Sequence, residues 1–212
     1  MRINSVDKPL ALAACLLLAV PALAQEQFDF ELTPFAAYRI GGDFEDDETG
    51  EEFDLDDSEA FGLILNIRAK TQGQWELLYA KQSTEVDTAG TFVASESIDL
   101  DVQYFQLGGT YLYDGDRVQP FIALTLGVTN FDPEFADLDS ENYFSASFGG
   151  GIKMDLTQRV GVRLEGRVYS TFLESNSKIF CSSGPGGGQC LIESSGTTFN
   201  QWEARAGLVF RF

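Results

Sequence analysis

Residues 199–212 read FNQWEARAGLVFRF, and the fold follows from how they alternate. Trp202, Ala204, Ala206, Leu208, Phe210 and Phe212 occupy one set of alternate positions. Glu203, Arg205, Gly207, Val209 and Arg211 occupy the other. A period of two puts the first set on one face of a strand and the second on the opposite face. One face is greasy and aromatic, the other charged or small, and the stretch ends on an aromatic. Such a strand suits hydrocarbon on its outer side and a polar interior on its inner side.

The opposite end of the chain points to export. Arg2 and Lys8 precede an uncharged run over 9–24 that closes in Ala22-Leu23-Ala24 before Gln25. A basic start, a short apolar core and an A-x-A site predict a signal peptide over 1–24, cleaved to leave a single domain over 25–212. Leu12-Ala13-Ala14-Cys15 competes as a lipoprotein box, but the apolar run continues past Cys15 to Ala24. The rest of the chain has no apolar run long enough for a spanning helix. A membrane location therefore requires a closed barrel, because only helices and barrels satisfy their backbone in lipid. The net charge of −19 argues against electrostatic binding of nucleic acid or of an anionic surface.

Eight alternating segments can be read between turn signals, over 28–40, 61–70, 74–84, 98–113, 118–129, 143–154, 160–172 and 199–212. The fourth is out of phase with itself. Ile98, Leu100 and Val102 do not keep step with Phe105, Leu107 and Tyr111, which predicts a bulge or a strand top standing clear of the membrane. The connections alternate long, short, long, short, long, short, long. Asp114-Gly115-Asp116 is the clearest of the short turns.

Short turns on one side, long loops on the other and a terminal Phe on an alternating strand resemble the small eight-stranded bacterial outer-membrane β-barrels, such as the outer-membrane protein A membrane domain and the X and W types. The resemblance covers the whole chain after residue 24. It implies an all-β, up-and-down antiparallel transmembrane barrel with short periplasmic turns and long extracellular loops. It also implies residence in the bacterial outer membrane among its lipids. Trp202, Leu208, Phe210 and Phe212 would then serve as the signal read by the barrel-assembly machinery, and the barrel is expected to be a monomer. A soluble eight-stranded barrel also alternates, but it would put large apolar side chains inside and charge outside. Here one face mixes Gly, Ser, Ala and Thr with charge, and the other carries large aromatics, which favours the membrane barrel.

The inward charges form the first candidate site. Arg at mid-depth on a lipid face costs roughly 2–4 kcal/mol, so Arg163 and Arg167 fix the register of the seventh strand and must find partners inside. Glu165 and Arg167 are expected beside Glu203 and Arg205, with Glu31 and Arg39 joining from the first strand. Arg68 and Glu76 stand equidistant from the centre of the 71–73 turn and are expected opposite each other. The network either plugs a lumen just wide enough for side chains or gates a narrow passage for small or hydrophobic solutes.

Two loops draw attention. Residues 41–59 hold eleven acidic residues and no basic one, which predicts a solvated loop extended by repulsion. Asp43, Asp46, Asp47, Asp54, Asp56 and Asp57 are where a divalent cation would be sought. The ordered EF-hand spacing is missing, so no metal is expected. Cys181 and Cys190 flank SSGPGGGQ in an oxidising compartment and are expected to form a disulfide.

Some outer-membrane barrels are hydrolases, acyltransferases or proteases that use a His base. This sequence contains no His, so Ser-His, Cys-His and Asp-His mechanisms are excluded. Phosphate loops and zinc motifs are absent too. The sequence thus predicts a non-enzymatic, cofactor-free surface or structural barrel, with a narrow channel or a loop-borne adhesin or receptor as alternatives.

Overall fold

The computed structural model describes residues 30–45, 52–69, 72–87, 97–133, 140–173, 175–182, 189–195 and 198–212. The expected signal peptide and Cys15 lie outside them.

The described residues form twelve strands: β1 (Phe30–Ile40), β2 (Asp43–Glu45), β3 (Glu52–Asp54), β4 (Ser58–Arg68), β5 (Gly73–Asp87), β6 (Ser97–Leu112), β7 (Val118–Pro133), β8 (Glu141–Asp155), β9 (Val160–Phe172), β10 (Ser175–Ser182), β11 (Gln189–Ser195) and β12 (Thr198–Arg211). Eight of them close a barrel in the order β1-β12-β9-β8-β7-β6-β5-β4, and every neighbouring pair is antiparallel. The remaining four make two hairpins, β2–β3 and β10–β11, within the first and last long connections. The acidic 41–59 loop is thus partly paired, with Phe44 opposite Phe53.

Closure explains the alternation. On β12, Phe199, Gln201, Glu203, Arg205 and Val209 are buried, while Trp202 and Leu208, and Phe212 just past its end, are exposed. Leu77, Leu107, Leu124, Phe148 and Leu164 extend the same outward belt around the wall. An apolar exterior around a polar interior is the inverse of a water-soluble barrel, and it needs lipid as its outer solvent.

The fourth predicted strand needs correcting. β6 pairs without interruption from Gly73↔Tyr111 to Asp87↔Ser97 on one side and from Leu100↔Pro133 to Leu112↔Phe121 on the other, so it carries no bulge. Leu100, Val102 and Tyr104 point inward in step with Gln106 and Thr110, while Phe105 and Leu107 point out. The interior itself changes character along the barrel. Toward the long loops it gains an apolar cluster, built from Leu55, Leu100, Val102, Phe131, Leu173 and Phe199 and set among buried Gln82, Thr84, Thr129 and Thr171.

The β4–β5 turn also departs from expectation. Asn66 stands opposite Glu76, and Arg68 opposite Gln74. The Ala69 N–H donates to the Gly73 carbonyl at 2.8 Å, so the register of the hairpin is centred one residue earlier than its sequence suggests. Arg68 therefore sits exposed at the short-turn rim.

The seam between the terminal strands has an irregularity of its own. The Phe212 N–H donates to the Phe30 carbonyl at 3.0 Å, which sets every second residue from Phe30 facing β12. Pro34 is one of these and has no N–H to offer. The register accordingly skips from Leu32↔Phe210 to Phe35↔Gly207. The Leu208 carbonyl gets no donor from β1.

Candidate functional site: an ionic lumen

Three charges on β9 are the scaffold of the interior. Arg163, Glu165 and Arg167 lie two residues apart, so all three side chains enter the lumen. Arg163 Nε donates to Glu165 Oε2 at 2.8 Å, and Arg167 Nε to Glu165 Oε1 at 2.7 Å. Across the barrel, Glu76 receives Arg163 Nη2 at 2.9 Å and Arg167 Nη2 at 2.6 Å. Two arginines and two glutamates thus form a ring in which each carboxylate touches both guanidiniums. The remaining donors are used as well. Arg163 Nη1 reaches Asn66 at 3.1 Å, and Arg167 Nη1 reaches Thr125 at 3.2 Å and Ser147 at 3.1 Å. Thr110 and Asn66 complete the shell of Glu76.

A second cluster lies nearer the long loops. Arg39 holds Glu203 Oε2 through Nε at 2.9 Å and Nη2 at 2.6 Å, and its Nη1 reaches Gln82 at 3.2 Å. The stacked rings of Tyr104 and Tyr169, 4.1 Å apart, lie beneath its guanidinium at 4.8 and 5.1 Å. Tyr104 donates to Gln201, which donates in turn to Gln82. Arg205 pairs with Glu203 Oε1 at 2.6 Å, donates to the Tyr169 hydroxyl and rests on Phe35 at 4.4 Å. Its Nε and Nη1 have no hydrogen-bond partner.

The third cluster closes the short-turn end. Lys153 donates to Glu31 and, at 2.8 Å, to Gln74. Arg211 joins Glu31 at 2.9 Å and Asp155 at 2.7 Å.

Of the nine charges expected in the lumen, the structure gathers Glu31, Arg39, Glu76, Arg163, Glu165, Arg167, Glu203 and Arg205 there, and places Arg68 at the rim. Glu203 is directly opposite Arg167, and Arg205 opposite Glu165. The site also takes in Lys153, Asn66, Gln82, Tyr104, Tyr169 and Gln201, to which the sequence alone assigned no role. All of them share the inward phase of their strands, which is the signal that finds them. Their partners lie across the lumen and depend on barrel closure.

The arrangement is suited to filling space rather than to reaction. Ionised groups out of water are tolerated when paired and hydrogen-bonded, and these are paired, with hydrogen bonds missing only at Glu203 Oε1 and at Arg205 Nε and Nη1 among the lumen charges. Arg39, Arg163 and Arg167 are at most 2% exposed. The neighbouring strand β8 is trimmed to admit them: a β-carbon at Gly149 would stand 2.5 Å from Glu165 Oε1 and 3.1 Å from Arg167 Nε.

The other predicted residues are scattered. Asp56 and Asp57 lie at the loop-side mouth, where Asp57 accepts the Gly41 N–H at 3.2 Å. Asp43 and Asp54 are paired in register, while Asp46 and Asp47 lie outside the described residues. Among the described residues no group of three His, Cys, Asp or Glu side chains could hold a metal ion. The backbone sets Cys181 directly opposite Cys190 on β10 and β11. Trp202 and Leu208 on β12 and Phe212 just past its end are exposed, and Phe210 is half-buried.

Residues 10–212 match the family model described as the outer membrane protein beta-barrel domain. Among solved structures, neisserial surface protein A aligns with a TM-score of 0.60 at 12% identity, over 89% of this chain and all of its own. Outer membrane protein W of E. coli aligns with a TM-score of 0.47 at 13% identity, over 89% of this chain and 100% of its own. The N-terminal barrel domain of Pseudomonas aeruginosa OprF gives 0.45 at 12% identity, over the same shares. The first of these likenesses shows a shared fold. No curated protein sequence matches at a significant level.

Proposed function

We propose a structural, solute-tight role at the cell surface for this chain, which belongs to the outer membrane protein β-barrel domain family and resides in the bacterial outer membrane. The observation that carries the reading is the Glu76–Arg163–Glu165–Arg167 ring, whose ion pairs of 2.6–2.9 Å span the lumen at mid-barrel. A permeating ion would have to break pairs whose separation leaves charge unpartnered in a site closed to water. The apolar cluster toward the loops adds a second barrier that disfavours a water column.

In this reading the protein is not an enzyme. The chain has no His to serve as a general base, and its buried carboxylates are engaged by arginine and lysine rather than held toward a free space. The chain is exported by its leader over 1–24, recognised by the assembly machinery through β12, and works as a monomer through its loops. A disulfide between Cys181 and Cys190 staples the β10–β11 hairpin, a pairing favoured by their facing backbone positions.

A narrow conduit for hydrophobic solutes is the second reading. It is favoured by the apolar cluster in the loop-side half, around Leu100, Val102 and Phe131. Solute uptake by proteoliposomes divides the two. Swelling rates in small sugars and uptake of an apolar probe should equal those of protein-free vesicles. A protein-dependent increase in either would replace the closed barrel with a conduit.

A further inference from the structure

The outward belt is not evenly clad. Around most of the wall large side chains project, but where β1 and β12 close the barrel the outward residues are small. Ala36 lies directly opposite Ala206, and Ala204 is flanked by Gly166 on β9. Large side chains stand around this floor: Tyr38 is 52% exposed, Phe61 59% and Leu208 48%. The result is two adjoining hollows of about 380 and 460 Å³ that share Ala36 and Ala206. Together they make a furrow along the seam, from Pro34, Val162 and Leu208 up to Tyr38, Phe61 and Glu59.

We propose that this furrow seats one acyl chain of a membrane lipid, with the lipid's head at the loop-side end. The furrow is continuous with the lipid-facing belt, so hydrocarbon is the solvent it opens to. Its polarity runs one way. The stretch from Leu208 to Ala36 is apolar, and the Tyr38 hydroxyl and Glu59 carboxylate stand at the upper end, where Tyr38 and Glu59 are register partners. An occupant must be apolar along its length and polar at one end. The floor is one strand pair wide, about 5 Å between strands, which suits a single methylene chain.

A second copy of the barrel fits poorly. A two-fold contact must be self-complementary, and two concave furrows facing each other enclose a void. The carboxylate of Glu59 selects among lipids. It favours a head group that brings hydrogen-bond donors or an ammonium over one that carries only negative charge.

Native mass spectrometry on the refolded full barrel tests this, with phosphatidylethanolamine or phosphatidylglycerol added to the detergent as the probe. Wild type should retain one phosphatidylethanolamine per barrel under activation, at least threefold more than phosphatidylglycerol. Ala206→Leu and Ala36→Phe, which fill the floor, should reduce retention at least tenfold. Glu59→Gln should keep the lipid and lose the head-group preference. Heat-dependent gel mobility confirms folding, and Ala206→Leu alone suffices if Ala36→Phe fails to fold. Equal retention by wild type and the filled variants, or no retained lipid, overturns the site. Dimer ions that vanish on filling overturn it in favour of a second copy. Equal retention of the two lipids by wild type overturns the head-group assignment.

Discussion

Gly149 on β8 lies directly across from Arg167 on β9, and the guanidinium occupies the space a side chain at 149 would need. A β-carbon there would approach Glu165 Oε1 to 2.5 Å and Arg167 Nε to 3.1 Å. The ionic ring is thus built from both sides, by charges on one strand and by the missing side chain on its neighbour.

Gly149→Ala should therefore destabilise the barrel by about 1–3 kcal/mol, the usual cost of overpacking. Gly166→Ala, whose β-carbon would meet nothing within 4 Å, should be neutral or slightly stabilising. Urea unfolding in lipid vesicles, followed by tryptophan fluorescence, checks the pair.

Glu76 is the hub of the ring, since it receives both Arg163 and Arg167. Glu76→Ala or Arg167→Ala alone should cost about 3–5 kcal/mol, because each leaves buried charge uncompensated. The double variant should cost clearly less than the sum, as expected for groups in one network. Additive losses in the same unfolding assay would mean the two residues act independently.

How much of this was legible beforehand follows from how local each feature is. The alternation of Trp202 to Phe212 against Glu203 to Arg211 is local, so strand, faces and outer solvent could be read directly. The placing of Glu203 beside Arg167 in register followed from adjacent strands in phase. Arg68 was misplaced because a shift of one residue in the centre of the β4–β5 register moves each pairing by two positions. The apparent phase slip in the fourth strand arose from taking the lumen to be polar throughout, whereas Leu100 and Val102 join an apolar cluster inside its upper half. Lys153 meets Glu31 across the lumen from a non-adjacent strand, and that contact depends on barrel stagger, which no short stretch encodes.

The seam offers a further check. Pro34→Ala gives the Leu208 carbonyl an N–H donor, worth roughly 0.5–1.5 kcal/mol net. Part of that gain is offset by about 0.4–1 kcal/mol through the greater freedom of the unfolded chain. A small rise in unfolding midpoint is expected, with a slowly exchanging amide at position 34 in hydrogen exchange. A rapidly exchanging amide there would mean the donor is not engaged.

The cysteines give a covalent prediction. Protein from native membranes should show no free thiol at Cys181 or Cys190 until reduced. Reduction should loosen the β10–β11 hairpin and leave the unfolding of the barrel unchanged. Thiol labelling followed by mass spectrometry reads both states.

The central claim is that the lumen is closed by its own charges, and planar-bilayer conductance tests it most directly. Wild-type protein, inserted and verified as folded, should give no unitary current steps at either polarity, and Arg167→Ala, which opens the ring, is the variant in which leakage would first appear. Regular conductance steps from the wild-type barrel would contradict the account.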